Sequence, residues 1–229
     1  MPNDNIGSCL LNLLSTLNHC NKKKLDGLLL LIDFKKAFDS IDHEFISQTL
    51  KAFNLGDDII EWVRLFFTER VAHIVMGGHL TVKILLEQGV PQGDIISPFI
   101  FIIAVEILLI KITNSRHIKG IILETEEEIR AQTFADDTSL LIQRCIISLL
   151  ACVRYIEHFS TISGLHANLD KTKVVPFGNN FNIKDKIGGH LSLEWEKEFT
   201  LLGIDIDNRL EHLDHNFDRV HSKTQNSVL

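Results

Sequence analysis

The sequence offers little of what small proteins use for covalent stapling or export. Its four cysteines, Cys9, Cys20, Cys145 and Cys152, form no CxxC pair and no cysteine–histidine group at zinc-like spacing. That argues against a disulfide framework or a structural zinc and fits a reducing compartment. No basic segment followed by a short apolar run opens the chain, so no secretory signal is expected and the location read is intracellular. Positive charge is scarce: 23 Lys and Arg stand against 30 Asp and Glu, a net charge of −7, whereas a free-standing nucleic-acid binder draws its phosphate contacts from basic patches. Long unbroken apolar runs are few. The best, Ile95 to Ile112, is interrupted by Ser97, Pro98, Glu106 and Lys111, which predicts a buried core helix rather than a membrane span. There is no internal repeat, low-complexity linker or evident domain boundary.

What remains is a chain of 229 residues, 45% hydrophobic, enough for one large or two small globular domains. A helical stripe of Ile6, Leu10, Leu13, Leu14 and Leu17 predicts a helix from Asn5 to His19, ended by Asn21-Lys22-Lys23-Lys24. Gly27 to Ile32 is a continuous apolar run, the pattern of a strand buried on both faces, and it empties into Asp33. Ser40 or Asp42 can cap a helix through about Phe53 that Gly56 stops, and Asp57 or Asp58 can cap the next. Val71 to Met76 and Leu80 to Leu86 read as strands of a hairpin turning at Gly77-Gly78. After a glycine-containing corner, Gln88 to Asp94, Ser97 and Pro98 suit the N-cap and first position of the long apolar helix. Gly120 to Leu123 reads as a strand, Glu124 to Glu128 as an exposed turn, Ile146 to about Gly164 as a helix, and Val174-Val175 and Phe199 to Ile206 as strands.

Between these lies Phe134-Ala135-Asp136-Asp137, two short apolar strands meeting at an acidic tip. Side chains alternate along a strand, so neighbouring aspartates serve one site only if the chain turns there. Like charges held together are repulsive unless a cation sits on them. If the strand ending in Asp33 neighbours this hairpin, two or three carboxylates converge with no His or Cys, a donor set for a hard cation such as magnesium. A pair of such ions about 3.5–4 Å apart performs phosphoryl transfer. On spacing alone, an adjacent Asp pair also fits a solvated turn.

Four motifs in order decide between these. Asp33-x-x-x-Ala37-Phe38-Asp39, Gly89-x-x-Gln92-Gly93-x-x-x-Ser97-Pro98, Phe134-Ala135-Asp136-Asp137 and Ser163-Gly164-Leu165-x-x-Asn168-x-x-Lys171-Thr172-Lys173 together resemble the reverse transcriptase domain of non-LTR (LINE-type) retrotransposons. The resemblance implies an α+β polymerase-type palm, with a small antiparallel β-sheet packed on helices. It also implies RNA-directed DNA polymerisation with two Mg2+ ions, for which Mn2+ is a substitute, on an RNA template and DNA primer with deoxynucleoside triphosphates. By the same resemblance Asp33, Asp136 and Asp137 are the metal-binding acids, with the backbone carbonyl of Phe34 a further ligand. Phe38 is the aromatic gate against a ribose 2′-hydroxyl, and Gln92 and Gly93 lie against nucleotide and template. Lys171 protonates or neutralises the leaving pyrophosphate, and Leu202 and Gly203 belong to a primer-grip hairpin. The implied organisation is an N-terminal helix over residues 1–24, the palm over 25–190, and the hairpin with the start of a thumb over 191–229.

Departures from the pattern carry their own expectations. Gln88 stands where the family usually has a basic residue, so one phosphate or template contact is lost, and Ile95 replaces a frequent proline. The basic fingers motifs are absent and the thumb is begun only, which reconciles the acidic charge with a nucleic-acid enzyme. It also raises a rival reading, a catalytically inactive retrotransposon-derived fragment acting as a binding or structural module. An unrelated two-metal phosphatase or nuclease accounts for the aspartates but not for Phe38, Gln92-Gly93 or Lys171.

Overall fold

The computed structural model describes residues 6–91, 93, 95–123, 126, 128–134, 137–178, 193–201 and 203–216, and the side chains of all of these except 6–9, 132–134 and 137. It divides into two compact units, each assembled from discontinuous stretches. Met1–Asp33, Ile112–Val153 and Asn168–Leu229 make the first, and Phe34–Lys111 with Arg154–Ala167 make the second.

The first unit is built on a five-stranded sheet. Its central strand β1 (Gly27–Ile32) pairs antiparallel on one side with β9 (Asp137–Gln143), which in turn pairs with β8 (Ala131–Phe134). On its other side β1 pairs antiparallel with β10 (Lys173–Phe177), and the edge strand β11 (Glu194–Trp195) joins β10 in parallel, the single departure from an antiparallel sheet. Leu28, Leu29 and Leu30 are all fully buried, as expected of a strand covered on both faces.

One of those faces is covered by helix α1 (Ile6–Lys23). Leu10, Leu13, Leu17 and Cys20 join Leu29, Leu141, Val175 and Phe177 in one core with Phe199, Leu201 and Ile206. The helix runs four residues past the expected end at His19. Lys22 and Lys23 favour the negative end of its dipole instead of breaking it, and Lys24, at φ +59°, ends it. Burial pushes the Cys20 thiol up to about 11 and the Cys152 thiol up to about 12, so neither is a reactive thiolate.

Phe199 to Ile206, an apolar strand by pattern alone, forms the hairpin that the resemblance implies at this point, β12 (Glu198–Leu201) and β13 (Ile204–Asp207), and Gly203 at φ +78° lets the chain reverse. The acidic run is not all turn. β6 (Ile121–Ile122) pairs with β7 (Glu128–Ile129), and the Glu128 carboxylate accepts from the Gly120 amide at 2.5 Å and from Arg130 at 2.8 Å.

The second unit has an aromatic core: Phe34 meets Phe101 and Phe159 edge-on, and Phe45 meets Phe159 in the same way. After a four-residue helix α2 (Ala37–Ser40), α3 (His43–Ala52) is capped by Asp42, whose side chain accepts from the Phe45 amide at 2.8 Å. Its end is set by Asn54 at φ +54°, not by Gly56, which is the N-cap of α4 (Asp57–Phe67). Asp57 and Asp58 therefore sit inside the first turn of α4, where negative charge suits the helix dipole.

The expected hairpin over 71–86 is present but broken in two. β3 (Val75–Met76) pairs with β4 (His79–Leu80) across Gly77-Gly78, and β2 (Val71–Ala72) pairs with β5 (Ile84–Leu85). Between them the Thr81 hydroxyl takes the Ile74 amide at 2.9 Å, a side-chain bond in place of a ladder bond. Helix α5 (Ile96–Thr113) begins early enough that Ser97 and Pro98 lie within its first turn rather than at the cap and first position. Among the described residues it is the one helix long and apolar enough to cross a membrane. It buries Ile100, Phe101, Ala104, Val105, Leu108 and Ile112 at helical spacing, the pattern of a core helix. α6 (Ile146–Ser163) ends at Gly164, φ +75°, as expected.

Candidate active site

In the first unit the acidic site begins where β1 stops. The register of β1 against β9 ends with Ile32 opposite Thr138. One further step along antiparallel strands sets Asp33 beside Asp137, the first residue of β9. Phe134 pairs with Asp137, so the hairpin expected at the acidic tip is present. Asp136, between them in sequence, lies outside the described residues, as does the side chain of Asp137.

Asp33 is exposed and is held by one neighbour. The Asn168 backbone amide donates to the Asp33 carbonyl at 2.7 Å, and the Asn168 Nδ2 donates to the Asp33 carboxylate at 3.2 Å. The Asn168 carbonyl in turn accepts from the amides of Lys171 and Thr172, at 3.0 and 2.8 Å, and from the Thr172 hydroxyl at 2.9 Å. Asn168 is therefore the hub of the turn that presents the exposed Lys171 and is bonded to Asp33 at the same time. Leu31, two residues before Asp33, is flanked in register by Ser139 and Lys173, which brings a second lysine to this end of the sheet. Neither Asn168 nor Lys173 is singled out by sequence reasoning, although both stand in the fourth motif.

In the second unit, Phe34 is buried in the aromatic core and bridges to Ala167. Phe38 is half-buried, its ring centroid 5.1 Å from that of Phe101 at 36°. It is thus neither wholly core nor free. The glycine corner is fastened to the same segment: the Val90 amide donates to the Phe38 carbonyl at 2.6 Å and the Gly89 amide to the Ile41 carbonyl at 2.8 Å. Gly93 is exposed at φ +91°, and Gln92 lies outside the described residues.

The profile of the reverse transcriptase (RNA-dependent DNA polymerase) family matches residues 4–206, most of the chain. The chain belongs to the reverse transcriptase family. Among curated proteins, a Pol polyprotein of the type-1 retrotransposable element R2 of Popillia japonica is 30% identical over 140 residues, 60% of this chain and 23% of that protein. The RNA-directed DNA polymerase of the mobile element jockey of Drosophila funebris is 26% identical over 208 residues, 87% of this chain and 21% of that protein. Both relatives come from retrotransposable or mobile elements, and this chain spans about a fifth of their length. Among solved structures, apo telomerase from Candida tropicalis, truncated from its C-terminal domain, superposes with a TM-score of 0.62 at 16% identity. The match covers 91% of this chain and 40% of that one. The fold is the polymerase palm.

The reverse transcriptase's Gly203 sits at the exposed β12–β13 turn, while Leu202 lies outside the described residues. Among the described residues no three of His, Cys, Asp and Glu converge. The acids at this end of the sheet supply only hard oxygen donors. Asp33 meets a neutral amide there, so its negative charge is not cancelled by that partner. Such a donor set fits the divalent metal dependence general to reverse transcriptases.

Proposed function

We propose that this palm carries the nucleotidyl-transfer site of an RNA-directed DNA polymerase, taking an RNA template, a DNA primer and deoxynucleoside triphosphates inside the cell. The observation that supports it best is the placement of Asp33, exposed at the open end of the central strand and in register to neighbour Asp137. Asp33, Asp136 and Asp137 would hold two Mg2+ ions, or Mn2+ in their place. Metal bound by these residues would supply activation of a primer 3′-hydroxyl and stabilisation of the leaving oxygen.

The chain's own residues do the rest. Asn168 orients the Asp33 carboxylate and the turn bearing Lys171 together. The Lys171 ammonium donates a proton or positive charge to the departing pyrophosphate. The half-buried Phe38 ring occupies space that a ribose 2′-hydroxyl needs. Gln92 and Gly93 lie along nucleotide and template, where glycine permits close backbone approach, and Leu202-Gly203 seats the primer end.

Two measurements test this reading. Mg2+ titration of the whole chain should lose its saturable site in Asp33→Asn and in Asp136→Asn; equal binding by the variants removes the site assignment. Extension of a DNA primer on a homopolymer RNA template should proceed with the chain and stop with Asp136→Asn. No incorporation with either metal would favour a retrotransposon-derived module that binds without extending.

A further inference from the structure

One peptide group in the second unit receives two side-chain donors. The Gly89 carbonyl lies 2.8 Å from His43 Nε2 and accepts from Arg70 Nη1 at 3.1 Å. A carbonyl has no proton to give, so His43 Nε2 carries the hydrogen and donates. His43 opens α3, and its ring stacks on Phe67 with centroids 4.5 Å apart at 20°. Arg70 stands immediately before β2. The two donors thus reach one oxygen from different elements.

The other side of the same peptide is bound to the Phe38 segment. Gly89, at φ +82°, is so close to Asp39 that a Cβ would lie 2.8 to 2.9 Å from its backbone. Its amide donates to Ile41, the next amide donates to Phe38, and Gln88 bridges to Asp42. Residues 88–90 are therefore clamped between the backbone of 38–42 and the two donors. At this corner, where Gln88 supplies no charge, the cation is Arg70.

We propose that His43 and Arg70 are positioning residues that, through the Gly89 carbonyl, hold the glycine corner against Phe38 and so set where the Phe38 ring stands. The consequence for nucleotide choice rests on the polymerase reading above: loosening the clamp lets the ring shift and admits ribonucleotides.

Amide hydrogen exchange of the whole chain tests the clamp without any activity. In Arg70→Ala and His43→Ala, the Gly89 and Val90 amides should exchange about tenfold faster or more, the weight of one charge-assisted or buried hydrogen bond. The amides of Leu29 and Leu30 in β1 serve as the unchanged control. His43→Gln, which keeps a donor, should restore slow exchange. The double variant should exchange less fast than the product of the two single effects, since both donors act on one oxygen. Unaltered Gly89 and Val90 exchange in both alanine variants overturns the clamp.

In primer extension the same variants should lower the preference for deoxy- over ribonucleotides by about tenfold, chiefly through KM. Loosened amides with an unaltered preference would overturn the positioning role. A wild-type chain that extends no primer removes the polymerase reading instead, and the amide exchange alone then decides the clamp.

Discussion

Asn168 holds Asp33 at both its main chain and its side chain, through a 2.7 Å bond to the carbonyl and a 3.2 Å bond to the carboxylate. The donor is neutral, so it aims the carboxylate without cancelling the charge that a cation needs. Groups bonded to a metal ligand in this way typically govern affinity by about 10–100-fold. Asn168→Ala should therefore weaken Mg2+ binding by about tenfold. The side-chain bond is exposed, so a thermal melt should move little. Isothermal titration of the variant against the wild type is the check, and equal affinities would count against the arrangement.

Thr138 lies opposite Ile32, one residue from this acidic end, and its hydroxyl is buried without a hydrogen-bond partner among the described residues. A buried hydroxyl that bonds to nothing costs about 1–3 kcal/mol relative to one that does. Thr138→Val keeps the β-branched shape and removes the hydroxyl. Urea unfolding should give a higher midpoint at the same slope, a gain of about 1 kcal/mol.

Gly27 begins β1 directly opposite Phe177, which is fully buried. A Cβ at Gly27 would overlap the Phe177 ring and approach the Ile142 carbonyl to 3.0 Å. The ring cannot swing away in a filled core, so Gly27→Ala should cost about 1–3 kcal/mol. Pairing it with Phe177→Leu should recover part of that loss, as neighbours in contact are not additive.

Asp207 closes β13 with its carboxylate nearly buried, accepting from the amides of Arg209, Glu211 and His212 at 3.1, 3.1 and 3.0 Å. Burial is the largest single influence and raises its pKa, but the backbone donors together outweigh it and hold the carboxyl below its ordinary value. A depressed folded pKa stabilises above the unfolded pKa of about 3.9, and that contribution is lost as pH falls through the folded value. The stability gap between wild type and Asp207→Asn should be constant near neutrality and shrink below about pH 4. Chemical denaturation across that range measures it; a gap unchanged by acid would sink the assignment.

Much of the palm is legible in the sequence where a single physical signal dominates. Gly27–Ile32 is continuous, apolar and bounded by charge, so its strand and its terminal Asp33 follow directly. α6 shows its stripe and its terminal Gly164 equally plainly. What is not legible depends on partners far along the chain. At the break in the β2–β5 hairpin the Thr81 hydroxyl accepts from the Ile74 amide, a bond that alternation does not encode. The role of Asn168 depends on a residue 135 positions earlier, and that of His43 and Arg70 on one carbonyl turned toward both. The start of α5 is not legible from Ser97 and Pro98, because Pro98 needs no amide partner anywhere in a first turn and so does not fix its position there.

The central strand also has a consequence for synthesis. β1 leaves the ribosome before both of the strands that cover it, since Gly27 pairs with Gln143 on one side and Phe177 on the other. A six-residue apolar segment therefore waits for more than a hundred residues of further translation before either edge is covered. Such segments pair with one another when left open. The charges on both flanks, Lys22, Lys23, Lys24 and Asp26 before it and Asp33, Lys35 and Lys36 after it, act as gatekeepers in that interval. Neutralising them would first be felt as insoluble nascent protein, before any change in the folded palm.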